Sequence, residues 1–482
     1  MTEHCTDIPN TELSRRGFIE ALGASAVVGS LSGASPLAPQ IVFGILSDTH
    51  ITDYASTGTL RRALEYFNIR NVDAVVVSGD ITDHGLVREL RAFAKAWFDV
   101  FPGDLGKNGQ PVKRIFIPGN HDVGVFGREP CNGANMGESD IPLDTADDIE
   151  MVKVGFAKVW KSVFGEEYCP FRVVQVKGFD FLCAGWDPSV PIDLWSPTPE
   201  RQLRSLRDAL AKIDTSRPFF HIQHPHLKGT VLEEDYVFTH DDASVTRILN
   251  NYPYAVAISG HSHVSLTDER CFWRGNFTAV AASTLKKVNA SAIHDNHASV
   301  IRKTDGADDV RQGLVAAVFG DRIVFERRDF GRGEDVDEPW VATLPACRNA
   351  ARRDRKEYLQ TPRFPDDAKI DVELPDLVGE DGRISFPAAT ANEMTRPFDY
   401  EVKVEHIYAG VRLTLGSFRI LNPSVMLPKR YDRRFPLVSC PLESRHLPKY
   451  DLGRVRVTVS AYNSLGAAGE SIVSEWTDVP KM

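Results

Sequence analysis

Short apolar runs in the first two-thirds of this 482-residue chain end repeatedly on Asp, Asn or His. "IVFGILS" (41–47) runs into Asp48 and His50, and "VDAVVVS" (72–78) into Asp80 and Asp83. "RIFIPG" (114–119) runs into Asn120, His121 and Asp122, "PFFHIQ" (218–223) into His224 and His226, and "YAVAIS" (254–259) into His261 and His263. Singly, each has an ordinary reading: Asp and Asn after a strand serve turns and caps, and a lone His is commonly a satisfied core or surface group. Five strand ends of one kind, with eleven of the fourteen histidines between residues 50 and 297, call for another explanation. Converging carboxylates and imidazoles repel or go unsatisfied unless cations bind them. The donors are hard oxygen and imidazole without thiolate, which favours Mn, Fe or Zn. Seven such side chains are too many for one ion. With one carboxylate bridging they suit two divalent ions about 3.5–4 Å apart, the arrangement that promotes in-line displacement at phosphorus.

The elements that must position these residues are legible too. The apolar runs are continuous rather than alternating, so they predict strands buried on both faces. Between them, Leu60, Ala63, Leu64 and Phe67 fall at helical spacing, as do Leu90, Phe93, Ala94 and Trp97. Strands separated by such helices predict an α/β layered sheet, in which ligands bind beyond the carboxyl ends of the strands. "LVAAVFGDRIVFERRDF" (314–330) reads as a closing hairpin with Gly320-Asp321 near its turn.

In this order, D-x-H, G-D-x-x-D, G-N-H-D, a strand-end His and G-H-x-H resemble the calcineurin-like metallophosphoesterase superfamily, across residues 41–332, and "ERQLRSLRDAL" (200–210) matches a helix of that family. The resemblance implies a layered β-sandwich flanked by helices. It also implies one metal on Asp48, His50, Asp80 and His263, and another on Asp80 as bridge, Asn120, His224 and His261. His221 and His226 lie close to His224, but the strand-end position before Pro225 favours His224. A hydroxide bridging the two ions would attack a small phosphoester, Asn120 would steady its oxygens, and His121 would face the substrate as proton donor with Asp83 as its partner. Ser/Thr phosphatases of this superfamily carry Arg where His84 stands here, and purple acid phosphatases have Gly in place of His50. What remains resembles the bacterial phosphodiesterase and phosphomonoesterase branch, which includes cyclic-nucleotide and glycerophosphodiester hydrolases. Two rival readings stand beside this one: a non-catalytic cell-surface binding protein with a relict metal domain, and a nuclease.

A net charge of −10 gives no basic footprint for nucleic acid, which disfavours the nuclease. None of the seven cysteines forms a C-x-x-C pair, so neither a zinc knuckle nor a redox motif is indicated. In residues 1–40, Arg15-Arg16 and the following "ALGASAVVGSLSGA" resemble a twin-arginine signal peptide, predicting an exported, periplasmic protein without a membrane span in its mature form. Residues 123–150 form a Gly-, Pro- and acid-rich insertion that reads equally as a lid or a solvated loop. Residues 333–365 read as a linker, and the basic run 348–356 within it as a solvated helix. Beyond it, strict alternation in "YEVKVEHI" and "RVRVTVSAY" predicts a second β-sandwich over 366–482, with a resemblance to fibronectin type III domains in "VTVSAYNSLGAAGES". This sandwich supplies none of the proposed ligands, so it is expected to be independent of the first domain, with glycan or protein contact as its possible work.

Overall fold

The computed structural model describes residues 38–123, 155–186, 198–232, 243–288, 309–346, 361–390, 396–449 and 452–480. Nearly all of the expected signal segment, most of the 123–150 insertion and the basic run 348–356 lie outside these residues.

The first domain comprises β1 (Ile41–Leu46), α1 (Gly58–Ile69), β2 (Ala74–Ser78), α2 (Val87–Val100), β3 (Lys113–Ile117), the single turn α3 (Asn120–Val123) and α4 (Phe156–Phe164). It continues with β4 (Phe171–Val176), β5 (Phe179–Ala184), α5 (Glu200–Leu210), β6 (Phe219–Gln223), α6 (Ser244–Leu249), β7 (Ala255–Ser259), β8 (Phe272–Arg274) and β9 (Thr278–Ala281). β10 (Gln312–Val318), β11 (Arg322–Asp329), β12 (Glu334–Asp335) and β13 (Trp340–Thr343) follow. Among the described residues, one sheet runs β12–β11–β10–β1–β2–β3 with β13 also on β11, and the other runs β4–β5–β6–β7–β9–β8. β1, β2 and β3 are parallel, as are β5, β6, β7 and β9, so the loops that carry the candidate ligands all leave carboxyl ends.

The expected burial on both faces is observed. Phe43, Ile45, Ala74 and Val76 point into the space between the sheets, where they meet Phe181, Phe220, Ile222 and Val256. Their neighbours Leu46, Val75 and Val77 instead pack under α1 and α2, against Leu64, Phe67, Leu90 and Phe93. Phe43 stands edge-on to Phe181 at 5.2 Å and to Phe220 at 4.9 Å, which locks the two sheets face to face. The structure is therefore a layered α/β domain, as the periodicity indicates. β10 and β11 form the expected hairpin around Gly320-Asp321.

The boundary after residue 332 needs correction. β12 and β13, inside the segment read as linker, pair with β11 and extend the sheet to Thr343. Trp340 stacks on Phe272 at 5.3 Å, and Ala342 and Leu344 are buried. Strands of two and four residues among charges and prolines carry too few positions for a periodicity to register.

The second domain holds β14 (Asp371–Glu373), β15 (Gly382–Pro387), β16 (Asp399–Tyr408), β17 (Val411–Leu421), β18 (Leu437–Leu442), β19 (Arg454–Tyr462), β20 (Ile472–Val473) and β21 (Thr477–Asp478). Antiparallel sheets β14–β15–β18 and β17–β16–β19–β20, with β21 also on β19, close over Ile384, Phe386, Tyr400, Val402, Val457 and Val459. On β19, Val455, Val457, Val459 and Ala461 are buried, as strict alternation requires. The domain is not independent of the first. Val288 and Val310 share a buried cluster with Phe398, Leu421, Val425, Met426 and Leu427. Nothing in the alternation of a strand records what its neighbouring loops touch. No helix among the described residues is long and apolar enough to cross a membrane.

Candidate metal centre

The loops beyond β1, β2, β3, β6 and β7 converge, and their backbones are laced together. The Asp48, His50 and Ile51 amides donate to the carbonyls of Gly79, Asp80 and Ile81, each at 3.0 Å. Gly260 N–H donates to the His224 carbonyl at 2.8 Å. The Asp122 carboxylate staples the third loop to the second, accepting from Gly119 N–H at 2.8 Å, Ile81 N–H at 3.1 Å, and Thr82 N–H and Oγ1–H at 2.7 Å each. Asp48, His50, Asp80, His261 and His263 all take positive φ, between 44° and 72°. Such backbone costs about 1–3 kcal/mol per residue and persists only where the surroundings over-determine it. The glycines of the motifs answer to space: a Cβ on Gly119 would lie 2.2 Å from Asp80 Oδ1, and one on Gly260 1.8 Å from Ser47 Oγ.

Three groups of candidate ligands result among the described residues: Asp48–His50–His263, Asp80–His224–His261, and His50–Asp83–His121, which shares His50 with the first. In the first, His263 Nε2 is 2.9 Å from Asp48 Oδ1 and 3.1 Å from His50 Nε2. In the second, His224 Nε2 is 3.1 Å from Asp80 Oδ2 and 3.2 Å from His261 Nδ1. Asp80 Oδ2 also lies 3.8 Å from His50 Nε2, so one carboxylate stands between the clusters. The other ring nitrogen is committed as a donor in three of these histidines: His50 Nδ1 to Asp83 Oδ1 at 2.8 Å, His263 Nδ1 to the Lys287 carbonyl at 3.1 Å, and His224 Nδ1 to the Ser78 carbonyl at 2.7 Å. As neutral rings they therefore turn lone pairs toward one another and toward the carboxylates, an arrangement that needs positive charge in its midst.

The electrostatics agree. Burial alone would lower the His224 imidazole, but Asp80 and Asp48 reverse it and push it up to about 9; His263 is raised in the same way by Asp48. Burial raises the Asp48 and Asp80 carboxyls, yet the imidazoles hold both below the usual range. Asn120 Oδ1 is buried without a hydrogen-bond partner. The residues on either side of Asn120 both reach Asp80: His121 N–H donates to its Oδ1 at 2.9 Å, and Gly119 packs against the same oxygen. An orphaned amide oxygen beside two carboxylate–imidazole clusters fits a divalent cation site.

All nine residues singled out in the sequence meet in this region, with one contact other than expected. His121 Nδ1 donates to the backbone carbonyl of Asp83 at 2.7 Å, rather than to its carboxylate. The Asp83 carboxylate instead binds His50 and pairs with Lys286 Nζ. His84, at the position where the protein phosphatases carry Arg, bonds Glu89 Oε1 at 2.7 Å. Of the neighbouring histidines, His221 bonds Gln223 at 3.0 Å and His226 bonds Ser259 Oγ at 2.8 Å, and neither joins a cluster. Burial lowers them to about 4 and about 3, so they are neutral core residues.

Sequence reasoning missed the segment Thr284–Lys287. Thr284 Oγ1 and Leu285 N–H both donate to the Asp48 carbonyl, at 2.9 and 3.2 Å. Lys286 then pairs with Asp83, and the Lys287 carbonyl orients His263. The available signal was "FTAVAAST" (277–284), a further apolar run ending on hydroxyl residues.

A family model for calcineurin-like phosphoesterases matches residues 41–265, within the first domain. No curated protein matches the chain significantly. Among solved structures, similarity extends to GAP50, the anchor in the inner membrane complex of Plasmodium (11% identity, 64% of this chain and 89% of that one, TM-score 0.39). It extends also to a predicted phosphoesterase from Streptococcus pneumoniae (11% identity, 63% and 97%, TM-score 0.29). A third is the phosphopantetheinyl hydrolase of Mycobacterium tuberculosis (14% identity, 50% and 89%, TM-score 0.31).

Proposed function

We propose that this protein is an exported, metal-dependent hydrolase of small phosphoesters, with two divalent ions (Mn, Fe or Zn) held by Asp48, His50, Asp80, Asn120, His224, His261 and His263. The observation that carries the reading is the pair of Asp–His clusters sharing Asp80, with imidazole lone pairs facing inward and the Asn120 oxygen unpartnered beside them. When bound, the ions supply the Lewis acidity that activates water and neutralises charge on phosphoryl oxygens.

The chain's own groups supply the rest. Asp80 sets the spacing of the two halves of the site. The Asp83 carboxylate fixes the His50 ring so that Nε2 turns to the first cluster. His121 is held through Nδ1 by the Asp83 carbonyl, so its transferable proton sits on Nε2, from which it reaches the leaving oxygen. Lys286, on Asp83, brings a cation to the mouth of the site where His84 is occupied by Glu89, and it serves a charged phosphoryl oxygen.

A binding protein with a relict site would have no reason to keep the His121–Asp83–Lys286 group around the clusters. The test is turnover of bis(p-nitrophenyl) phosphate, p-nitrophenyl phosphate and cyclic nucleotides by purified protein of measured metal content, with Mn²⁺ added. Metal-replete protein without turnover of any of them would end the hydrolase reading.

A further inference from the structure

We infer that the C-terminal sandwich is a working part of the metal site: Phe398 and Val425–Leu427 act as positioning residues that brace the two segments holding His263 and Asp48. The inference rests on the reading of the clusters as a metal centre. It starts from what lies on the far side of those segments. Thr284–Lys287 is an irregular strap after β9, preceded by Ser283 at φ 62°, yet it anchors Asp48 twice, pairs with Asp83 and orients His263. The very next residue, Val288, is buried in the cluster formed with Phe398, Leu421, Val425, Met426 and Leu427.

The second segment leads away from His263 to the same place. Ser265 Oγ–H and Leu266 N–H donate to Gln312 Oε1 at 3.2 and 2.7 Å, and Gln312 N–H donates to the Thr284 carbonyl at 2.8 Å, so the two segments are tied together. Thr267, four residues past His263, donates its hydroxyl to the Val425 carbonyl at 2.5 Å. Arg270 lies over the Phe398 ring at 5.2 Å, and Ser464 Oγ donates to Glu269 Oε2 at 2.9 Å. Further out, Lys429 N–H donates to Asp337 at 2.9 Å and Arg430 pairs with Glu334 at 2.7 Å.

Left-handed backbone at His261, His263 and Ser283 must be held by packing on all sides. The first domain covers one side of these segments through Val264, Leu266 and Leu285, which belong to its cores. The sandwich covers the other. Outer supports of this kind typically change metal affinity by about 10–100-fold when removed.

The experiment uses the full chain with Met426→Asp, Thr267→Val and, as conservative control, Met426→Leu. Amide hydrogen exchange is followed in metal-free protein, and Mn²⁺ binding is titrated by calorimetry. Met426→Asp and Thr267→Val should speed exchange in 261–267 and 284–288 while β16 and β19 keep their protection. Mn²⁺ affinity should fall by about 10–100-fold for one ion, and Met426→Leu should behave as wild type. If Met426→Asp does not fold, Thr267→Val, which removes a single hydroxyl, carries the test. Unchanged exchange and unchanged Mn²⁺ affinity in folded variants would overturn the inference. Wild-type protein that takes up no metal would instead overturn the reading of the site, and the exchange measurement would still decide whether the sandwich braces it.

Discussion

His50 Nε2 and His263 Nε2 face each other across 3.1 Å, although both rings already donate from Nδ1. Two imidazole lone pairs at that distance are tolerable only with a positive charge beside them, a proton shared with Asp48 in the apoprotein or a metal ion in its place. Chelation should therefore lower the midpoint of thermal unfolding, and Mn²⁺ should restore it in a concentration-dependent way. At free metal a hundred times the dissociation constant, each site adds about 2.7 kcal/mol. Calorimetric scans that superimpose with chelator and with Mn²⁺ would show that these rings are satisfied by protons alone.

Asp80 stands between the two clusters, with one oxygen near both His224 and His50. Asp80→Ala should reduce bound metal and abolish turnover of alkyl and aryl esters alike. Elemental analysis of the purified variant checks the cause: full metal occupancy with lost activity would make Asp80 something other than the shared ligand.

His121 is proposed to protonate the departing oxygen, a task whose value grows with the basicity of the leaving group. His121→Ala should slow hydrolysis of an alkyl ester by about 10²–10⁴-fold. A p-nitrophenyl ester, whose leaving group needs no proton, should lose much less at equal metal content. Equal losses on both would assign His121 to phosphate positioning.

Lys286, half-exposed in its place on Asp83, is proposed to offer its ammonium to phosphate. A charge-assisted hydrogen bond contributes about 1.5–3 kcal/mol, so Lys286→Met should raise KM for a phosphomonoester dianion by about 10–100-fold. A diester, with one charge fewer, should lose less, and Lys286→Arg should retain most of the affinity. A fall in kcat with KM unchanged would place Lys286 in support of His50 through Asp83 instead.

A site assembled from distant strand ends exists only in the folded chain, which suits export after folding and metal loading. Changing Arg15 and Arg16 to Lys should keep the protein in the cytoplasm. Cell fractionation decides it: normal periplasmic yield of the double variant would remove the twin-arginine reading.

The sequence determined the candidate ligands and most of the frame. Strands buried on both faces are written as unbroken apolar runs, and a residue at a strand end is positioned by that strand alone, so Asp48, Asn120, His224 and His263 could be read locally. Spacing also placed Leu64 and Phe93 on buried helix faces, because helix and strand periods are properties of a single segment. Tertiary structure decided what depends on two segments at once. Which oxygen of Asp83 meets His121 depends on how two loops cross, and the backbone carbonyl took that contact while the carboxylate went to His50 and Lys286. Strands as short as β12 and β13 exist because β11 offers them an edge, not because their own residues demand it. The buried cluster that holds both Met426 and Val288 joins positions far apart in the chain, and its apolar residues had no pattern in sequence to mark them as an interface.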